Sequence, residues 1–187
     1  MNKGFEVIEA YFFFFFTLEQ IEVVLHPQSI VHSLVEYLDG SLLAQLGSPD
    51  MRIPISHALG FPERISNSAA TLDLLKVARL DFLAIDEKRY PCLSLAYQAL
   101  RIGGTATTIL NAANEIAVQA FLDGKIYFTD IAKLNQDVLE KIHSRPVSNL
   151  SIILEDDSLA REIAKEMILK HYSASETKIV RRESVIH

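Results

Sequence analysis

Asn2, Lys3 and Glu6 fall within one helical turn, and spacings of three and four put Glu6 on the same face as the other two. An amide, an ammonium and the free backbone N–H groups of a helix start can cradle a phosphate. A carboxylate one turn later can hold a divalent cation beside it, because Mg²⁺-type sites take one or two carboxylates plus ligand oxygens. The competing account is a solvated Lys3–Glu6 pair. His26 and His32 stand six apart across Pro27-Gln28-Ser29, which is not a helical metal spacing. Local hydrogen bonding at a strand end and a loop accounts for both. Pro49-Asp50-Met51 reads as a loop with one soft apolar side chain, explained by capping and packing. Asn111 to Glu115 lies inside a helix, where an interhelical polar contact is expected rather than catalysis. Cys92 follows Pro91 at a helix start, a place that can lower a thiol pKa, but no histidine pairs with it and packing is the expected role.

Other chemistries are missing from the sequence. It contains no Gly-x-Gly-x-x-Gly, no Walker loop, no Gly-x-Ser-x-Gly and no Cys-x-x-Cys. One cysteine excludes an internal disulfide and a cysteine zinc site. The net charge of -6, with no basic tract before Arg181-Arg182, argues against a nucleic-acid partner. The longest uncharged runs, Val23–Val35 and Ile102–Asn114, are thirteen residues each. A bilayer span needs about 20 apolar residues, so no membrane segment is expected. Met1 to Gly4 does not lead into a signal peptide, and a cytoplasmic protein is expected. At 187 residues, 49% hydrophobic and 22% charged, the chain can bury a substantial core.

The elements that would carry these residues follow from periodicity. Val7, Ala10, Tyr11 and Phe14 recur at helical spacing, predicting a helix from Asn2 to about Phe14. The run Tyr11 to Phe16 has no periodicity; a buried helix end packed under a sheet is expected, with an exposed partner-binding patch as the alternative. Ile21–His26, Leu34–Leu38 and Ser41–Leu46 read as three strands. Asp39-Gly40 joins the last two as a hairpin, with both turn residues at positive φ. A helix after Ser48-Pro49-Asp50 runs at most to Gly60. Four helices follow Tyr90-Pro91: Cys92–Ile102, Thr105–Asp123, one from Thr129-Asp130 to His143, and one from Leu159 to about Tyr172 capped by Asp156-Asp157-Ser158. The expected class is α+β. A partial α/β catalytic unit with an antiparallel hairpin spans 1–60, a linker 61–90, a four-helix domain 91–172 and a polar tail 173–187. The sheet has too few strands to stand alone, which points to further sequence ahead of Met1.

At these same residues the chain resembles the 1-deoxy-D-xylulose 5-phosphate (DXP) reductoisomerase family. The resemblance rests on Met-Asn-Lys-Gly-Phe-Glu-Val-Ile-Glu-Ala (1–10), Leu25 to Ser33, Asp39-Gly40-Ser41, Leu43 to Gly47 and Pro49 to Arg52. Arg89 to Leu93, Leu110 to Glu115 and Phe128 to Ile131 extend it, covering about residues 1–170. It implies the second half of an NADPH- and divalent-cation-dependent enzyme (Mg²⁺, Mn²⁺ or Co²⁺). That enzyme converts DXP, a sugar phosphate, to 2-C-methyl-D-erythritol 4-phosphate in non-mevalonate isoprenoid synthesis. By the same resemblance, Glu6 is a metal ligand, Asn2 and Lys3 contact substrate phosphate and hydroxyls, and His32 is an active-site histidine. Pro49 and Met51 pack near the nicotinamide, and the enzyme is a homodimer formed through its sheet. The dinucleotide-binding domain and two further acidic ligands of the family have no counterpart in the sequence, and Phe15 and Phe16 replace polar family positions. The alternative function is an inactive oligomerisation module.

Overall fold

The computed structural model describes residues 1–172; the expected tail 173–187 lies outside the described residues. In chain order the elements are α1 (Asn2–Phe14), a 3-10 turn (Leu18–Gln20), β1 (Val31–Glu36), β2 (Leu42–Leu46), α2 (Arg52–Gly60), α3 (Leu74–Val77), α4 (Pro91–Ile102), α5 (Ala106–Leu122), α6 (Asp130–Lys141) and α7 (Leu150–Met167), which ends in a π turn (Ile168–Tyr172). The class is α+β, and no described helix is long and apolar enough to cross a membrane. Two compact units result. Among the described residues, one contains Met1–Glu22 and the residues from Asp86 to Tyr172; the other is Val23–Ile85.

In the first unit, α5 is the central helix. Ala106, Ile109, Leu110, Ala112, Ala113, Ala117 and Ala120 are all buried, and the small side chains admit α4, α6 and α7 against it. Buried Leu95, Ala96 and Ala99 of α4, Leu134 and Val138 of α6, and Ala160 and Ala164 of α7 complete this core. The expected interhelical role of Asn111–Glu115 is realised at two residues. Asn135 Nδ2 of α6 donates to Asn114 Oδ1 at 3.1 Å, and Arg161 of α7 donates to Glu115 at 2.7 Å. Gly103 and Gly104, both at positive φ, end α4.

The fourth helix begins nine residues earlier than expected, at Leu150 instead of Leu159. Asn149 is its cap, accepting from the Ile152 N–H at 3.1 Å. Asp156, expected to cap, is instead a buried mid-helix residue held by Arg145 Nη2 at 2.6 Å. A tertiary ion pair has taken a residue that reads locally as a helix start.

Along α1, Gly4 and Val7 are buried and Met1, Ile8 and Tyr11 half-buried, a stripe at spacings of three and four that packs on α4. Asn2, Lys3, Glu6 and Glu9 occupy the exposed side. The aromatic run is not a buried terminus. Phe12 to Phe16 are exposed, Phe15 to 90%. One face of α1 packs, whereas six consecutive aromatics project all round the axis. Phe15 ends the helix in the left-handed conformation, φ 55°. Thr17 and Gln20 then form a capping box, and the Tyr97 hydroxyl of α4 donates to the Ile21 carbonyl at 3.0 Å.

In the second unit, β1 and β2 pair antiparallel with Glu36 opposite Leu42 and Ser33 opposite Gln45. The expected third strand, Ile21–His26, is reduced to one antiparallel bridge, Leu25 to Leu83. Among the described residues no strand runs alongside it, so the β-branched run is paired there only at Leu25. The hairpin turn also differs from expectation. Only Gly40 has positive φ, and Tyr37 and Ser41 close a three-residue loop through a 2.9 Å bond. This is the loop class that places one glycine in a left-handed position after a type I turn. The Asp39 carboxylate accepts from the Ser41 N–H at 2.8 Å and hydroxyl at 2.6 Å, fixing it.

Candidate functional site

Asn2, Lys3 and Glu6 lie together on the exposed face of α1. Asn2 Nδ2 donates to Glu6 Oε1 at 3.2 Å, and Lys3 Nζ lies 2.5 Å from Glu6 Oε2. The carboxylate therefore uses one oxygen for an amide and the other for an ammonium. Both charged side chains remain about half exposed, Lys3 at 57% and Glu6 at 46%. The arrangement presents a donor pair and an anionic oxygen pair at the start of a 13-residue helix. Its dipole favours an anion at that end.

His32 sits where the hairpin register slips. Val31 pairs with Leu46 but Ser33 pairs with Gln45, so His32 is the extra residue of an irregularity in β1. A bulge of this kind re-aims a side chain out of strand alternation. Its Nε2 lies 3.3 Å from the Gly47 carbonyl, at the start of the segment that carries Pro49 and Met51. His26, by contrast, is anchored far from its sequence neighbours. Its Nδ1 lies 2.7 Å from the Asp81 carbonyl, and its ring stacks on Phe82 with centroids 4.9 Å apart. The expectation of local partners for both histidines is thus corrected. Each ring reaches a carbonyl distant in sequence, by 55 residues for His26 and 15 for His32.

Pro49 and Met51 precede α2. Met51 is 70% exposed, its thioether free to contact an apolar ligand. Three contacts fix the loop. Arg52 Nη2 lies 2.5 Å from Asp50, Arg52 Nη1 donates to Ser68 Oγ at 2.6 Å, and Ser48 Oγ donates to the Ala70 carbonyl at 2.8 Å. The Arg52 hydrogen bonds hold the Asp50 carboxyl down to about 2. Sequence reasoning missed Arg52 and Ser68 as supports of the loop. Asp50 and Arg52 are two apart and legible as a pair, whereas Ser68 is sixteen residues from Arg52 and carries no local signal. Cys92 is half-buried and its thiol is pushed up by burial, which fits the packing role.

No cluster of three metal-capable His, Cys, Asp or Glu side chains occurs among the described residues. Glu6 supplies one carboxylate, which by itself does not make a complete divalent-cation site. The six candidates divide between the units: Asn2, Lys3 and Glu6 in the first, His32, Pro49 and Met51 in the second.

The sequence profile of the DXP reductoisomerase C-terminal domain matches residues 46–163. The 1-deoxy-D-xylulose 5-phosphate reductoisomerase of Nitrosospira multiformis is 58% identical over 168 residues, 90% of this chain and 42% of that protein. The enzyme of the same name from Methylobacillus flagellatus is 57% identical over 166 residues, again 42% of its length. The chain thus spans less than half of the curated relatives it matches. Among solved structures, a DOX-P reductoisomerase in complex with NADPH, fosmidomycin and magnesium superposes with a TM-score of 0.86 at 48% identity. That match covers 92% of this chain and 45% of the other. The reductoisomerase of Zymomonas mobilis in complex with NADPH gives 0.83 at 48% identity, over 89% and 44%.

Proposed function

The chain belongs to the DXP reductoisomerase C-terminal domain family, and from that premise we propose that it acts as the C-terminal portion of an NADPH- and divalent-cation-dependent DXP reductoisomerase. In this reading residues 1–60 complete the catalytic domain, 61–90 link it, and 91–172 form the helical domain. The enzyme acts in the cytosol as a homodimer. The observation that carries the reading is the Asn2–Lys3–Glu6 cluster on the first turns of α1.

Each residue has a role suited to its chemistry. The Lys3 ammonium and Asn2 amide hold the sugar phosphate and its hydroxyls near the positive end of α1. Glu6 contributes one carboxylate to the cation, and its remaining ligands belong to groups outside these residues. When bound, the cation would act as a Lewis acid and template for the substrate oxygens. His32, aimed by the strand irregularity, hydrogen-bonds substrate oxygens. Pro49 and Met51 cover the nicotinamide and keep water from it. When bound, NADPH would supply the hydride for the reductive half of the reaction. The NADPH and magnesium bound in solved relatives support the cofactor assignment.

The test is a chimera in which this whole chain replaces the matching segment of the Nitrosospira relative. With DXP, NADPH and Mn²⁺, absorbance at 340 nm should fall at about 1–10³ turnovers per second. The 187-residue chain alone should show no turnover, because a single carboxylate does not hold the cation. A folded but inactive chimera, or an active isolated chain, contradicts the reading.

A further inference from the structure

The face of α1 opposite the candidate site is packed more closely than any side chain at Gly4 allows. Gly4 is buried. A Cβ built there would lie 2.9 Å from the Cβ of Ala96 and 3.3 Å from the Cys92 carbonyl oxygen, both on α4. Carbon atoms in contact sit about 3.5–4.0 Å apart. Neither neighbour is the loose end of a flexible side chain. Ala96 is fully buried, and it belongs to the core that α4 shares with α5, so it cannot retreat. Any side chain at Gly4 therefore drives α1 away from α4 by something on the order of 1 Å.

Asn2, Lys3 and Glu6 lie on the same turn and a half as Gly4 and move with it. Among the described residues, the side-chain hydrogen bonds of these three run to one another, and Lys3 and Glu6 are about half exposed. Where this turn stands is set from behind, by backbone contact with the four-helix unit. We propose that Gly4 and Ala96 are positioning residues of the reductoisomerase site: their contact sets the placement of Asn2, Lys3 and Glu6 against the substrate. This rests on the function proposed above. It gives the helical domain a part in the chemistry, as the platform for the site-bearing turn. Misplacement of catalytic groups by about 1 Å can cost about 10²-fold in rate.

The test uses the same chimera with Gly4→Ala, Ala96→Gly and the double substitution, the last removing the methyl group that Gly4→Ala would strike. Gly4→Ala should lower kcat at least ~10-fold and raise both the KM for DXP and the Mn²⁺ requirement, while the KM for NADPH stays within about twofold of the parent. The double variant should recover most of the loss, short of the parent because the Cys92 carbonyl still crowds position 4. If Gly4→Ala keeps parental kinetics, or the double variant is no better than Gly4→Ala, the inference is overturned. If Gly4→Ala does not accumulate folded, the double variant decides alone. Near-parental kcat supports the contact as the positioning device; low kcat with parental circular dichroism overturns it. A folded but inactive parent chimera overturns the functional reading and the inference together. An active parent with an indifferent Gly4→Ala overturns the inference only.

Discussion

Glu6 and Asp156 show how differently one functional group behaves in this chain. Glu6 stands in water beside Lys3, and an exposed pair of that kind contributes under about 1 kcal/mol to stability. Its charge is available to a ligand. Asp156 is buried, 3% exposed, and fixed by Arg145, with the Thr105 hydroxyl also contributing. These hydrogen bonds hold its carboxyl below the ordinary 3.8. A carboxyl with a depressed folded-state pKa stabilises the fold fully above its unfolded pKa. That contribution is lost as pH falls through the folded value. Asp156→Ala should therefore destabilise the chain by about 2 kcal/mol at pH 7, less than the roughly 3–5 kcal/mol of a fully buried pair, because Arg145 keeps access to water. Urea unfolding of both proteins at pH 7 and pH 3 checks this. The gap between them should narrow at pH 3, and a gap that is equal or wider there contradicts the assignment.

At the scale of elements, the end of α1 offers a direct test of local strain. Phe15 holds a left-handed conformation that costs an ordinary side chain roughly 1–2 kcal/mol, and its ring, 90% exposed, gains little in return. Phe15→Gly should raise stability by about 1 kcal/mol, read as a higher midpoint in thermal unfolding. An unchanged or lower midpoint contradicts the strain. Elements built from local signals were legible. The helical spacing of Val7, Ala10, Tyr11 and Phe14 predicts a helix over residues 2–14, where α1 lies, and Gly103-Gly104 mark the end of α4. Elements decided by distant partners were not. Asp156 reads as a cap until Arg145 is seen beside it, and Ile21–His26 reads as a strand whereas only Leu25 is paired, with Leu83, among the described residues. The same division holds for the site. Asn2, Lys3 and Glu6 share a face by spacing alone. The Arg52–Ser68 support and the Gly4–Ala96 contact need tertiary structure to be seen.

For the whole molecule, two exposed apolar regions bear on association. The hairpin exposes Leu34, Val35, Tyr37, Leu38, Leu42 and Leu43, and α1 ends in Phe12 to Phe16. Two strands form a marginal sheet on their own, and open strand edges recruit partners. Light scattering on the purified chain should therefore show a dimer or larger across a tenfold range of concentration; a clean monomer throughout contradicts this. If α1 carries the cation-binding carboxylate proposed for Glu6, Glu6→Gln in the active chimera should disable it. The substitution keeps the shape and removes the charge, and an amide oxygen is a weaker ligand for a hard cation than a carboxylate. Turnover measured against Mn²⁺ concentration should fall by ~10²-fold or more, the usual worth of one preorganised electrostatic group, with NADPH affinity by fluorescence unchanged. Near-parental turnover at low Mn²⁺ would contradict the account and leave Lys3 and Glu6 as a solvated surface pair.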